Sequence, residues 1–558
     1  MDLPFIPMIE EISDFPNYRG PFCKFNSKII WHRRTDVQPT SHRLPALRKI
    51  GITFNRIPYV ADGRDPKTVE QGCRKRILQN LLHDKNGRLT FRHIGRLKKF
   101  ARGIVRKHFK QIDPTDPRIE FEKYLDGCKN YSAARKDQLR KSLKDWKETQ
   151  YVHKDEPFHK FNLRTIKGFI KRETYTEVKA ARLINSPVDP HKCLISPYTK
   201  LIEEQAYDLQ TFNRITFIKH VPVLDRPKVL DAMPGDQFLS SDWSSFECHF
   251  TAEIMGAIEQ ELFRYCTALC GPSVYSLYKY STQIRKVAMK HFNYQVPATR
   301  MSGESFTSLG NGFANMVLMQ FLIEELKGSR ILRGFVEGDD GIFSIAGEVP
   351  DAEFFSQFGF AVKLSQSKEP GHAAFCGNLY HKGTYENLAC PIKKLTSAGW
   401  TFNNVMYTND VTKLKQEFRA KGMSMAYLLH GCPIMSSYAL KTLELTQDVT
   451  PRWSCLSDHE REQLKDVIAT GVLPDWINDK MRRGPTDGSR ELFAQEFGVS
   501  VNTQILAEEA LSKVKDVFTT LSDPIFNQVL KIDQSQTLFK ERYHKSVING
   551  YNYVCYSI

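Results

Sequence analysis

Between Ile331 and Ile345 the chain writes two short strand-like runs, Ile331 to Val336 and Ile342 to Ile345, around Glu337-Gly338-Asp339-Asp340-Gly341. Turn residues between β-forming runs predict a hairpin with acidic side chains at its tip. Far upstream, Gln237 to Ser241 predicts a short strand running into Asp242. If these strands are neighbours in one sheet, the carboxylates of Asp242, Asp339 and Asp340 converge on one end of it. Hard divalent cations take oxygen ligands, and Mg²⁺ is typically held by one or two carboxylates plus substrate phosphates. Two such ions about 3.5–4 Å apart can activate a hydroxyl and stabilise a departing pyrophosphate. A lone Gly-Asp-Asp is more often a plain turn, so the surroundings must decide.

The stretch between the two carboxylate strands narrows the choice. Ser302-Gly303-Glu304-Ser305-Phe306-Thr307-Ser308-Leu309-Gly310-Asn311 fits S-G-x-x-x-T-x-x-x-N. A chain this long meets such a pattern by chance on the order of one time in a hundred. Ser302-Gly303 predicts a flexible turn able to approach a base or ribose closely. A helix is predicted from Thr307 to Leu326, with Leu309, Phe313, Met316, Val317 and Phe321 as its packed stripe. Thr307 and Asn311 stand at i and i+4 and face the same way, offering a hydroxyl and an amide suited to a nucleotide sugar. A capped helix after a glycine turn accounts for Ser302-Gly303 but not for the whole pattern.

Order and spacing together resemble the palm of viral RNA-dependent RNA polymerases. Asp242-Trp243-Ser244-Ser245-Phe246-Glu247 resembles the first palm motif, Ser302 to Asn311 the second, and Gly338-Asp339-Asp340 the third, in unpermuted order. The likeness is greatest to polymerases of positive-strand RNA viruses of the tombusvirus-like and noda-like kind. It rests on Asp242, Glu247 and His249 and on Thr307-Ser308-Leu309-Gly310-Asn311, and spans about 165 to 380. The resemblance implies an α+β fold of the closed right-hand kind, with fingers, a palm on an antiparallel sheet, and a helical thumb. It implies templated nucleotidyl transfer from NTPs with two Mg²⁺ (or Mn²⁺) ions, on an RNA template with a nascent RNA strand. Asp242 and Asp339 would bind both ions, with Asp340 in support.

Softer motifs extend the likeness. Phe169-Ile170-Lys171-Arg172-Glu173, followed by Lys179 and Arg182, resembles the basic fingers motif. There Lys171, Lys179 and Arg182 would neutralise the incoming triphosphate; a solvated strand edge is the competing reading. Phe358 to Lys363 is similar to the fourth palm motif, whose lysine acts as general acid toward pyrophosphate. Lys363 is the candidate and Lys368 its competitor. Ala374 to Asn378 resembles the turn that grips the nascent strand, although Cys376 fits plain packing equally well. Glu247 departs from the family, which usually has Asp there. In the family that residue reads the ribose 2′-hydroxyl together with the asparagine of the second motif. Here Glu247 and Asn311, with Ser302, Gly303 and Thr307, would form the nucleotide pocket, recut for the longer side chain or leaning more on Asn311 and Ser302.

Charge points the same way. Lys plus Arg number 79 against 63 Asp plus Glu, a net +16, which suggests a polyanionic partner, nucleic acid before anionic membrane. Arg92, Arg96, Lys98, Lys99, Arg102 and Arg106 lie in a run to Lys110 with no acidic residue, on a partly helical rhythm of Ile94, Leu97, Ile104 and Val105. An RNA track and a solvated helix face are equal readings of it. Thr251 to Cys270 predicts one helix with Ile254, Ile258, Leu262, Tyr265 and Leu269 on one face. The expected division is 1–150 as basic extension and outer fingers, and 151–235 as fingers with the basic nucleotide motif. Palm with inserted fingers follows at 236–400, then a mainly helical thumb at 401–558.

Other classes fit less well. Scattered cysteines, with Cys266 and Cys270 the tightest pair, lack the paired spacing of a zinc ribbon or the density of a secreted disulfide framework. The opening MDLPFIPMIEEISDF is acidic where a signal peptide is basic, and no apolar run approaches the roughly 18–20 residues that cross a bilayer. A reduced, soluble, intracellular protein is expected. The resemblance places it in the host cytoplasm, at membrane-associated replication sites reached through other viral replication proteins. No helicase P-loop, capping or protease segment is recognisable, so unwinding and membrane tethering fall to those partners. A reverse transcriptase ordinarily carries an aromatic residue where Gly338 stands. A basic RNA-binding structural protein of the capsid kind accounts for the charge but not for three ordered motifs.

Overall fold

The computed structural model describes residues 22–26, 29–33, 47–532, 546–548 and 551–553, apart from short stretches inside 47–532, the longest being 79–88. The expectation about the opening segment Met1 to Phe15 lies outside the described residues. Helix takes 51% and strand 16% of the chain, and the two alternate through its first two thirds, an α+β architecture.

Two six-stranded sheets organise that part. One runs in the spatial order Phe22–Asn26, Ile29–Arg33, Phe292–Val296, Arg285–Ala288, Thr165–Ile170, Leu183–Pro187. Its 285–296 hairpin lies in sequence between Asp242 and Ser302, so this segment leaves the sheet that holds Asp242 and pairs elsewhere. The other sheet contains β1 (Thr211–Phe212), β2 (Ile215–Phe217), β3 (Phe238–Trp243), β4 (Arg330–Glu337), β5 (Asp340–Ala346) and β6 (Val362–Ser367), in the order β6-β3-β5-β4-β2-β1. All its pairings are antiparallel except β2 with β4.

Strand periodicity gives this second sheet two covered faces. Leu239, Val336, Phe343 and Ile345 pack on Leu309, Phe313, Met316 and Val317 of the helix Thr307–Gln320. Phe238, Phe335 and Ile342 pack on Ala373, Phe375 and Tyr380. Central strands buried on both faces carry apolar residues toward both, as Ile342, Phe343 and Ile345 do, with Ser344 buried among them. The expected stripe of the 307–326 helix is buried throughout, but the α-helix ends at Gln320 and continues as a π-helical turn, Phe321–Lys327, closed by Gly328 at φ +82°.

The single helix expected from Thr251 to Cys270 is broken. Ala252–Ala257 and Glu259–Cys266 are separated by Ile258 at φ −110°, ψ −82°, and Ala268–Cys270 is a 3₁₀ turn. Leu269 is 58% exposed rather than packed. The second helix turns Glu259, Gln260 and Glu261 inward, where periodicity alone assigns polar residues to solvent. Each finds a partner there: Arg300 for Glu259, Ser281 for Gln260, Arg102 for Glu261.

Beyond residue 410 helices predominate, and their core takes in Ile50, Ile52 and Phe54 from early in the chain. Thr53–Phe54 pairs in parallel with Thr520–Leu521, and the Tyr438 hydroxyl donates to the Ile52 carbonyl at 2.6 Å. Among the described residues no helix is long and apolar enough to cross a membrane.

Candidate active site

Register brings the predicted residues of three distant segments into one row. Asp242 on β3 stands directly opposite Asp340 on β5 and opposite Lys363 on β6, while Asp340 pairs in turn with Glu337 on β4. Cross-strand partners share a face, so Lys363, Asp242, Asp340 and Glu337 line up across four strands. The row lies on the face turned away from the 307–320 helix. Gly338 (φ +60°) and Asp339 form the turn at its end, a left-handed position that glycine adopts without strain. Lys368 follows Ser367, which pairs with Phe238 at the opposite end of the sheet. At roughly 3.3 Å per residue that is about 16 Å from the row, so of these two lysines Lys363 is the one in register with the carboxylates.

One buried amide ties the segments together from behind. Asn315, fully buried, accepts from Trp243 Nε1 at 2.9 Å and donates through Nδ2 to the carbonyls of Gly338 (3.2 Å) and Asp340 (3.0 Å). His249 adds a second tie, its Nε2 accepting from Ala361 N at 2.9 Å just before β6. Nothing in periodicity marks Asn315, which sits among apolar residues; its one signal is the i+4 spacing from Asn311.

The second motif holds its shape through a buried ionic network. Arg300 pairs with Glu259 and, at 3.5 Å, with Glu304, which Arg285 also meets at 2.5 Å. All four side chains are almost wholly inaccessible, and two positive and two negative charges offset one another, as burial demands. Arg300 Nε donates to Asn311 Oδ1 at 3.0 Å and so fixes that amide. Gly310 makes room for the network: a Cβ there would lie 2.8 Å from Arg300 Nη2 and 2.9 Å from Glu259 Oε2.

Ser302 and Gly303 are bonded to the backbone of a distant strand. The Ser302 hydroxyl donates to the Leu183 carbonyl at 3.0 Å and accepts from Asn185 N at 3.3 Å, while Gly303 N donates to the Asn185 carbonyl at 2.8 Å. A Cβ at Gly303 would meet Ser186 Cα at 2.9 Å. This close approach is to the strand Leu183–Pro187 of the other sheet, so the turn ties that strand to the start of the helix Thr307–Gln320. Thr307 donates to the Met301 carbonyl at 3.2 Å, closing the same turn.

Charges are segregated around the row. Loss of water pushes Asp340 up to about 7, with the charges of Asp339, Asp242 and Glu337 adding to the rise and Lys393 opposing it. Asp339, accessible at the turn yet crowded by protein, is also raised, by desolvation and by Asp242, against the pull of Arg182 and Arg76. Burial tends to raise Glu337 too, but Arg226 at 2.5 Å and the Cys376 thiol hold it below the usual range. Glu247 is raised by burial and by Asp339, and drawn back by Arg76 and Arg182. Lys179 is lowered by desolvation, with Arg76 and Lys393 among the cations around it. Lys171 and Arg182 share Glu173, at 3.2 and 3.5 Å. Arg76, Lys179, Arg182 and Lys393 thus form a cationic group facing the carboxylates. Nothing in the sequence singles out Arg76 or Lys393; Arg74-Lys75-Arg76 is a plain basic triplet without local context.

The basic helix forms where expected, over Phe91–His108, with Leu97, Ala101, Ile104 and Val105 buried. Half of the basic side chains expected to meet RNA are engaged in ion pairs with the protein's own carboxylates. Arg96 meets Glu325 at 3.0 Å, and Lys98 and Arg102 meet Glu261 at 3.6 and 2.8 Å. Arg92, Lys99 and Arg106 are exposed, with no acidic partner among the described residues. Cys376 (φ +51°) and Gly377 (φ +76°) form a two-residue hairpin turn between Phe375 and Asn378.

Among the described residues no group of three or more His, Cys, Asp or Glu is already arranged to hold a metal ion. The donor chemistry nonetheless fits a hard cation: Asp242, Asp339 and Asp340 are oxygen donors whose mutual repulsion a divalent ion would relieve. Comparison with known proteins adds no name, since no family model and no curated protein sequence matches the chain.

Proposed function

We propose that this chain is an RNA-directed RNA polymerase of the positive-strand viral kind, built as a right hand. The observation that carries the reading is the juxtaposition of Asp242 and Asp340 in adjacent strands, facing a group of cations contributed from outside that sheet. An acidic row suits divalent ions, and a cationic group suits a triphosphate. A capsid-type RNA-binding protein needs no such separation.

Asp242, Asp339 and Asp340 would hold Mg²⁺ or Mn²⁺, which when bound supplies charge neutralisation at the reacting phosphate. Lys171, Lys179 and Arg182, joined by Lys393, neutralise the triphosphate and orient it. Glu247 and Asn311 read the sugar, Asn311 held by Arg300. The primer 3′-hydroxyl attacks the α-phosphorus, the bond to the β-phosphate breaks, and Lys363 gives a proton to the departing pyrophosphate while the hydroxyl proton passes to solvent. Catalysis of this kind is mostly positioning and electrostatics. RNA template and nascent strand are the partners, with other viral replication proteins supplying unwinding and attachment to membranes in the host cytoplasm. Primer-extension and primer-free assays on a defined RNA template, with Mg²⁺ and Mn²⁺ compared, test the reading: ribonucleotide addition that follows the template supports it, and its absence in both formats rejects it.

A further inference from the structure

Arg76 lies far from the catalytic motifs in sequence yet touches the first of them. The π-helical turn Arg74–Leu78 packs on the 3₁₀ turn Phe246–His249, just beyond Asp242. The Cys248 thiol donates to the Arg76 carbonyl at 2.7 Å, which fixes the backbone between the two turns. Upstream, a Cβ on Gly72 would lie 2.9 Å from the Ala181 carbonyl, so the segment runs close beside Arg182. Arg76 Nη1 then stands 3.8 Å from Glu247 Oε1, each side chain 22% exposed. From the other side, Thr299 donates to the Glu247 backbone carbonyl at 2.9 Å.

We propose that Arg76 is a positioning residue for sugar recognition, holding the Glu247 carboxylate where it accepts a hydrogen bond from the 2′-hydroxyl of a ribonucleotide. The inference rests on the polymerase reading. At 3.8 Å the pair is ionic without being a hydrogen bond, so the carboxylate lone pairs stay available to a hydroxyl. Burial raises Glu247, and the Arg76 charge draws it back toward the ionised acceptor form. Arg76 Nε is buried with no hydrogen-bond partner among the described residues. The early section of the chain thereby takes part in substrate selection as well as in packing.

The test is single-turnover incorporation of ATP against dATP opposite a templating uridine in Arg76→Gln, Arg76→Lys, Glu247→Gln and the double glutamine variant. Arg76→Gln is expected to lower the preference for ATP by about 5- to 30-fold, equivalent to one or two kcal/mol. Arg76→Lys, which keeps the charge but not the fork, retains part of the preference. The double variant falls no further than Glu247→Gln, because both residues act on one group. An unchanged ATP-to-dATP ratio in Arg76→Gln, with KM raised equally for both, overturns the proposal and leaves Arg76 a triphosphate contact. Thermal unfolding of the same four variants needs no turnover: additive losses of stability overturn the pairing itself. Coupled losses in a wild-type chain that adds no nucleotide overturn instead the polymerase reading on which the role depends.

Discussion

Asn315 and Trp243 share a buried hydrogen bond of 2.9 Å although 72 positions separate them. The same amide donates to the carbonyls of Gly338 and Asp340. Trp243 adjoins Asp242, so one side chain just beyond the second motif ties the Trp243 indole of the first to the backbone of the third. Asn315→Leu keeps the volume and removes all three bonds. An unsatisfied buried polar group costs about 1–3 kcal/mol, and the variant is expected to lose at least that in urea denaturation. Nucleotide addition should fall further than stability explains when assayed where the variant is folded. Wild-type rates in a destabilised Asn315→Leu would show that the tie serves only folding.

Gly310 gives a second, steric prediction. Its missing Cβ is space taken by Arg300 and Glu259, so Gly310→Ala overpacks the network at a cost of about 1–3 kcal/mol and displaces the partner of Asn311. Gly256 is the control, since nothing lies within 4 Å of a Cβ there. Gly256→Ala should be neutral or gain up to about 1 kcal/mol in its helix. Equal tolerance of the two substitutions would argue that Gly310 has no spacing role.

The basic helix separates into two halves that respond differently. Replacing Arg92, Lys99 and Arg106 with Gln should flatten the salt dependence of RNA binding, by about 0.7 in log–log slope for each phosphate of a single strand that is no longer neutralised. Replacing Arg96, Lys98 and Arg102 should instead lower thermal stability, because these residues pair with Glu325 and Glu261. An unchanged slope in the first triple variant would return the whole helix to a solvated face.

Acid sensitivity has an identifiable source in His191. Burial lowers its pKa from the ordinary 6.5 to about 4, only partly offset by its hydrogen bond with the Leu277 carbonyl. The unfolded chain therefore takes up the proton first, and the contribution to stability is complete above about pH 6.5. As pH falls from there to about 4, roughly 3 kcal/mol is lost at about 1.36 kcal/mol per pKa unit. Urea denaturation of wild type and His191→Gln over this range should show a steeper acid loss in wild type; parallel curves would exclude His191.

What the sequence made legible was local. Turn residues between strand-like runs mark the β4–β5 hairpin, and the run into Asp242 marks β3, so the carboxylate row follows once those strands adjoin. The stripe of the 307–320 helix reads equally well. Glu259, Gln260 and Glu261 mislead because their partners come from distant segments, and the inward turn at Ile258 has no local signal. Ser302-Gly303 has the composition of a ligand-facing turn, yet its hydrogen bonds go to the strand Leu183–Pro187. Arg76 is visible only through tertiary contacts, and Asn315 has no signal beyond its i+4 spacing from Asn311.

The central claim is that Asp242 and Asp339 serve chemistry rather than RNA binding. The direct measurement is template-dependent incorporation of a single ribonucleotide by wild type, Asp242→Ala and Asp339→Ala, with template affinity measured on the same preparations. The account predicts incorporation by wild type that requires Mg²⁺ or Mn²⁺, none by either variant, and template affinity within about twofold throughout, an allowance of under half a kcal/mol. Loss of template binding in both variants, or incorporation that survives either substitution, would contradict it.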